Sequence, residues 1–174
     1  MVEEQIDWRK TVEAILENAN RPFVPISKSF VQQPRGSKER SSVLSQFVTN
    51  GDLRGLKAYL LIAASASSPD TENEWYTSLP LQTWARAFGC SETAGSIATA
   101  KAAATRILLR LQQRGLIEKS RCGKERKIKI KLLAQDGSGE EYQRPASRYI
   151  RLSHDFWKSR FDEDISLPAL AMFL

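Results

Sequence analysis

The chain has 174 residues, 41% hydrophobic and 26% charged; this is ordinary globular composition, enough for one domain with additions or two small domains sharing a core. No apolar run approaches the roughly 18 residues that span a bilayer, and Met1-Val-Glu-Glu-Gln lacks the basic and apolar regions of an export signal. Cys90 and Cys122 stand apart, with no C-x-x-C and no histidine nearby, so neither a metal site nor a disulfide framework is expected, and a reducing cytoplasm fits. The single histidine, His154, leaves no Ser/His/Asp or Cys/His set to assemble, so neither an enzyme nor a cofactor is expected. The net charge of +6 is concentrated: Lys101 to Lys131 holds eleven Lys/Arg against two Glu, whereas the rest of the chain holds 15 basic and 18 acidic residues.

Residues 2–19 read as an amphipathic helix, with Ile6, Val12, Ile15 and Leu16 at near-helical spacing and Asn18-Ala-Asn-Arg-Pro ending it. Its apolar side either packs on its own domain or forms a dimer contact. Phe23 to Val31 is a short extended segment, and residues 32–42 form a polar, basic loop rich in turn residues. Asp52 caps a helix reaching about Ala66, whose stripe Leu53, Leu56, Tyr59, Leu60 and Ala63 has to be buried. A polar connection follows, and Trp75-Tyr76 either begin a short strand or cover the core.

A second helix is expected from Leu79, with Ser78 as N-cap, Pro80 in the first turn, Leu81, Trp84, Ala85 and Phe88 on the buried face, and Gly89 as the stop. Trp84 and Phe88 read as core residues and Cys90 as a buried thiol. The third helix runs from about Ile97 to Arg114, with Ala104, Ile107, Leu108 and Leu111 facing inward and Lys101, Arg106 and Arg110 outward, and Gly115 ends it. Strand, tight turn and strand follow, with Ile128, Ile130 and Leu132 alternating with Lys127, Lys129 and Lys131 as in a half-buried hairpin. Cys122 is a turn residue there; beside Arg121 and Lys124 its alternative role is an exposed redox sensor. Residues 134–148 read as a linker, and His154 as a surface residue without a role.

The order helix, helix, turn, helix, Arg-Gly-Leu-Ile-Glu and basic hairpin resembles the winged helix-turn-helix families of bacterial regulators and plasmid initiators. Leu81 to Ser91 and Thr105 to Lys119 carry the likeness, with the wing running to Leu133, about half of the chain. One departure is the spacing of Gly89 and Gly115, which leaves about nine extra residues around Glu92 to Ala100, so that the turn is enlarged or the third helix starts early. The resemblance implies that the third helix enters the major groove, where base edges present distinct donors and acceptors. It assigns Lys101, Thr105 and Arg106, with Thr99, to base or near-base contacts, and Arg110 to phosphate. Lys119, Arg121, Lys124 and Arg126 on the wing would reach the minor groove or flanking backbone.

An internal repeat is also legible. Phe23-Val-Pro-Ile-Ser-Lys-Ser-Phe-Val aligns with Tyr149-Ile-Arg-Leu-Ser-His-Asp-Phe-Trp, and Leu53-Arg-Gly-Leu-Lys-Ala-Tyr-Leu with Leu167-Pro-Ala-Leu-Ala-Met-Phe-Leu. Residues 149–174 then either begin a second winged domain of a longer tandem protein, or complete the first domain or a dimer partner. The expectation is an α+β fold: a winged helix-turn-helix of three core helices and a β-hairpin wing (residues 23–133), an N-terminal helix (1–22), a linker (134–148) and a C-terminal extension. The expected function is sequence-specific binding of double-stranded DNA by a cytoplasmic, nucleoid-bound transcriptional regulator. The alternatives are a plasmid replication initiator or partition protein, and a winged-helix protein-docking module. A homodimer through residues 2–19 or the C-terminal segment is a further candidate, with no membrane partner.

Overall fold

Ten helices and two small antiparallel sheets make up the α+β structure of the described residues in a computed structural model. It describes residues 7–33, 35–38, 41–66, 69–70, 72–123 and 126–174, the Cys122 side chain aside. Residues 2–6 of the expected first helix, three positions of the 32–42 loop and Lys124 therefore lie outside it. No helix among the described residues is long and apolar enough to cross a membrane.

Helix α1 (Trp8–Glu17) is capped by the Asp7 carboxylate, which accepts the Arg9 N–H, and buries Thr11, Val12, Ile15 and Leu16. It packs on α4 (Leu53–Ser65), α5 (Leu81–Ala87) and α8 (Asp155–Lys158), so its apolar side is covered within the chain. Strand β1 (Phe23–Ser27) is followed by α2 (Lys28–Val31) and α3 (Val43–Thr49). Both helices are too short to show an amphipathic period; α2 lies in the segment expected to be extended, and α3 follows the expected loop.

Helix α4 is apolar nearly all round, and nine of its thirteen residues are buried, as a central helix must be. The Asp52 carboxylate accepts the Gly55 N–H at 3.0 Å and lies folded over the first turn. A Cβ on Gly55 would collide with that carboxylate. Glycine is therefore required at this point of a helix by a contact, against its poor helix propensity.

Strand β2 (Tyr76–Pro80) leads into α5, whose N-cap is Pro80. This corrects the expected start at Ser78, because the Ser78 backbone belongs to a ladder in which it faces Lys129. The extra residues before the third helix hold a short helix α6 (Cys90–Thr93), and α7 (Ile97–Gln113) begins at a Ser96 cap that accepts the Thr99 N–H. Gly115, at φ +70°, ends α7 by letting the Leu116 N–H reach back to the Leu111 carbonyl, 3.2 Å away. The chain then forms the hairpin β3 (Ile117–Cys122) and β4 (Lys127–Leu132), and β4 is the centre of a sheet ordered β2-β4-β3. Between the sheet and the helices lie Leu56, Trp84, Leu108, Leu111, Leu116 and Ile130, all fully buried. Truncating Trp84 to Ala there would cost roughly 3–5 kcal/mol.

Residues 134–148 are anchored where a linker was expected: Leu133 bridges Glu141, Tyr142 is buried edge-on to Trp75, and Gln135 is buried, bonding the Ser27 N–H and the Pro25 carbonyl. They deliver β5 (Tyr149–Ser153) to β1, and α8, α9 (Phe161–Asp164) and α10 (Leu167–Phe173) follow. The two repeat segments are thus partners. Pro25 faces Arg151, Phe23 faces Ser153 and Ser27 faces Tyr149, a register that maps onto itself when the two copies are exchanged. The equivalence continues into fully buried Leu56 and Leu170, then breaks: Tyr59 is 0% exposed, whereas Phe173 is 51% exposed.

His154 is buried, correcting the surface assignment. Its N–H bonds the Pro22 carbonyl, its ring sits edge-on to Trp157, and burial, then the Lys158 charge, hold it below the ordinary histidine range.

Gly55→Ala provides a test by sign. At an open helix position this change stabilises by about 0.5–1 kcal/mol; here displacement of the Asp52 carboxylate should destabilise by about 2 kcal/mol, lowering Tm by roughly 4–8 °C. An unchanged or raised Tm in calorimetry would contradict the role given to Asp52.

Candidate nucleic-acid interface

Helix α7 turns Ala100, Ala104, Ile107, Leu108 and Leu111 into the core, which leaves the opposite side of a seventeen-residue helix to solvent. Ala98, Ala102, Arg106, Leu109 and Gln113 are exposed there, and Lys101 and Thr105 flank them half-buried. The small Ala98 and Ala102 keep the first two turns slim. Leu109, 47% exposed, and Gln113 were not singled out from the sequence. Their spacing from Arg106, three and seven residues, is the helical signal that would have found them.

The expected site residues divide into groups. Arg106 is exposed on α7, and Arg121 and Arg126 are exposed on the hairpin, where Arg126 adopts φ +55° beside the turn. Lys119 is half-buried on β3. Thr99 is exposed, but its hydroxyl lies 2.9 Å from the Ser96 hydroxyl as part of the helix cap. The Thr105 hydroxyl donates to the Lys101 carbonyl at 2.9 Å, turned back onto its own helix.

Arg110 is committed elsewhere. Its Nε and Nη2 donate to the two Asp52 oxygens at 3.0 and 2.9 Å, and Arg114 Nη1 adds a third bond at 2.7 Å while its guanidinium lies over Phe47. Where a phosphate contact was expected, the acceptor of Arg110 within the chain is a carboxylate 58 residues away in sequence. Burial pushes the Asp52 carboxyl up, but the hydrogen bonds from Arg110 and Arg114 outweigh it and hold the group below its ordinary value.

The lysine face of β4 is likewise engaged. Lys129 and Lys131 donate to the two oxygens of Glu74 at 2.8 and 2.7 Å, and Lys129 also lies over the Tyr76 ring. These bonds push Glu74 down to about 2. Among the described residues Asp70, Glu72 and Glu74 are the one carboxylate group close enough to share a cation. Its geometry is already explained: Asp70 accepts the backbone N–H groups of Glu72 and Glu74, and Glu74 is held by two lysines.

Trp84 and Phe88 are buried and stacked at 5.4 Å. Cys90 is buried and free, its thiol pushed up by burial. Of the expected cations, Arg106 on the helix and Arg121 and Arg126 on the hairpin are exposed, and Lys101 and Lys119 are half-buried. Among the described residues none of these five is in an ion pair with a carboxylate.

Glu74 titrates lower in the folded chain than its ordinary 4.5, so its contribution is complete above that pH and is lost as pH falls toward about 2. Thermal melts of the wild type and Glu74→Gln should therefore differ at pH 6 and converge on acidification; a gap independent of pH would refute the Lys129–Glu74–Lys131 contact. No protein-family model matches this chain, and neither a curated protein nor a solved structure shows similarity to it.

Proposed function

We propose that the chain is a sequence-specific duplex DNA-binding protein of the winged helix-turn-helix type, with α7 as its recognition helix and the β3–β4 hairpin as its wing. The order α4, β2, α5, α7, β3, β4 supports the fold part of this reading, as does the contact of α7 with β3 of the basic hairpin. The observation that carries the function is the set of cations just described. Other cations of the same region, Arg110, Arg114, Lys129 and Lys131, are paired with carboxylates, whereas among the described residues none of these five is. Arg121, Arg126 and Lys119 suit phosphate or minor-groove contact; Lys101 and Arg106, beside Ala98 and Ala102, suit base edges, with Leu109 able to meet a thymine methyl.

Within DNA binding, the leading role is a transcriptional regulator. The replication-initiator role is favoured by one specific observation, the internal repeat whose strands β1 and β5 pair about Pro25 and Arg151. Both roles use the same surface.

Fluorescence anisotropy with random and selected duplexes at two salt concentrations tests the proposal. The wild type should bind with a steep salt dependence and prefer the selected sequence, and Arg106→Ala/Arg121→Ala should bind at least about tenfold more weakly. Equal, weak binding by both proteins would instead favour a winged-helix module that docks another protein.

A further inference from the structure

A second set of cations, without carboxylate partners among the described residues, lies on and just before β5, in a different sheet from the hairpin residues assigned to duplex DNA. Between Glu141 and Asp155 the chain carries Arg144, Arg148 and Arg151 and no acidic residue. Among the described residues none of the three arginines is in an ion pair. Along β1, Val24 and Ile26 face the core, which leaves Phe23 and Ser27 to the other side with Arg151 and Tyr149 of β5.

The side chains on this outer face form a ladder. The rings of Phe23 and Tyr149 are parallel within 7°, their centroids 6.4 Å apart. The Arg151 guanidinium lies 5.1 Å from the Phe23 centroid and 5.7 Å from that of Tyr149, and the Arg144 guanidinium lies 5.6 Å from Phe23. Among the described residues the buried Arg144 Nη1 has no hydrogen-bond acceptor, and the contact of this guanidinium is with the Phe23 ring. Arg148 sits at φ +56°, a conformation that costs a non-glycine residue energy, and it projects from the point where the chain enters β5.

We propose that this outer face binds single-stranded DNA. Unpaired bases stack on aromatic rings and on guanidinium planes, and the phosphates between them need cations without internal partners. The ribbon offers both over five residues of each strand, about 16 Å, room for a short run of nucleotides. A duplex hides its base faces, so an aromatic–guanidinium ladder is of no use to it, and a patch for duplex phosphates needs charge alone. The inference goes beyond the duplex-binding reading and stands or falls separately from it.

The test uses the full chain and a fluorescein-labelled oligothymidine of roughly fifteen nucleotides, with anisotropy as readout and a duplex arm in parallel. The wild type should bind the oligothymidine, and Arg144→Ala/Arg151→Ala should weaken this at least about tenfold while leaving duplex binding within about twofold. Arg144→Lys/Arg151→Lys, which keeps the charge and loses the plane, should also weaken it, by about threefold or more. Arg106→Ala should leave oligothymidine binding unchanged. If the double alanine variant fails to fold, Arg148→Gly, which relieves the left-handed backbone as it deletes a charge, should still weaken oligothymidine binding about threefold. No oligothymidine binding by the wild type, binding indifferent to these substitutions, lysine variants that bind like the wild type, or a parallel loss of duplex binding would each overturn the proposal.

Discussion

The Asp52 carboxylate sets the relation between the two longest helices of the described chain. It caps α4 through the Gly55 N–H and holds α7 through Arg110 and Arg114, so the start of one helix and the last two turns of the other share one charge. Arg114 in turn lies over Phe47 of α3, which adds a third element to the same point. Asp52 is buried, and a buried carboxylate deprived of its cations would be strongly destabilising. The arrangement therefore tolerates little rotation of α7, a rigidity that the proposed base-reading role requires, because a rotation of the helix about its axis would carry every outward side chain out of register.

The same accounting of charge defines what the surface can do. A cation already held by a carboxylate offers an incoming phosphate little, since the new contact has to replace an existing one. Asp52 pairs with Arg110 and Arg114 at the end of α7, and Glu74 pairs with Lys129 and Lys131 on the sheet. The lysine stripe of β4, the most conspicuous basic feature of the sequence, thus ties β2 and its preceding turn to the hairpin. The less conspicuous Arg106, Arg121 and Arg126 are exposed and, among the described residues, in no ion pair.

The elements governed by local period were legible. The stripes of α4 and α7 and the alternation of β4 each repeat over enough residues to declare which side is buried, and Asp52 and Gly115 mark helix ends by local chemistry. What stayed hidden was set by distance in sequence. Nothing near Arg110 indicates that its partner is Asp52, and nothing near His154 indicates that it closes against Pro22. The start of α5 was misplaced because Ser78 and Pro80 carry good helix-start chemistry, and only pairing with β4 puts Ser78 in a strand. Along α7 the cationic positions were readable as a face, whereas which of them are already spent was not.

The β1–β5 ribbon joins these two lessons. The similarity of its strands was visible in the sequence, yet a repeat says only that two segments share a conformation, not that they lie side by side. Pairing about Pro25 and Arg151 gives the ribbon an inner face common to both copies, Val24 and Ile26 against Ile150 and Leu152. Its outer face is not symmetric: β5 contributes Arg151, and Pro25, buried, stands opposite it. Exchanging the copies conserves the backbone and the core but not the charge. The inner face thus answers to packing, which both copies meet in the same way, while on the outer face the equivalent positions differ, Pro25 being buried and Arg151 exposed, and the exposed copy is the one that carries the charge.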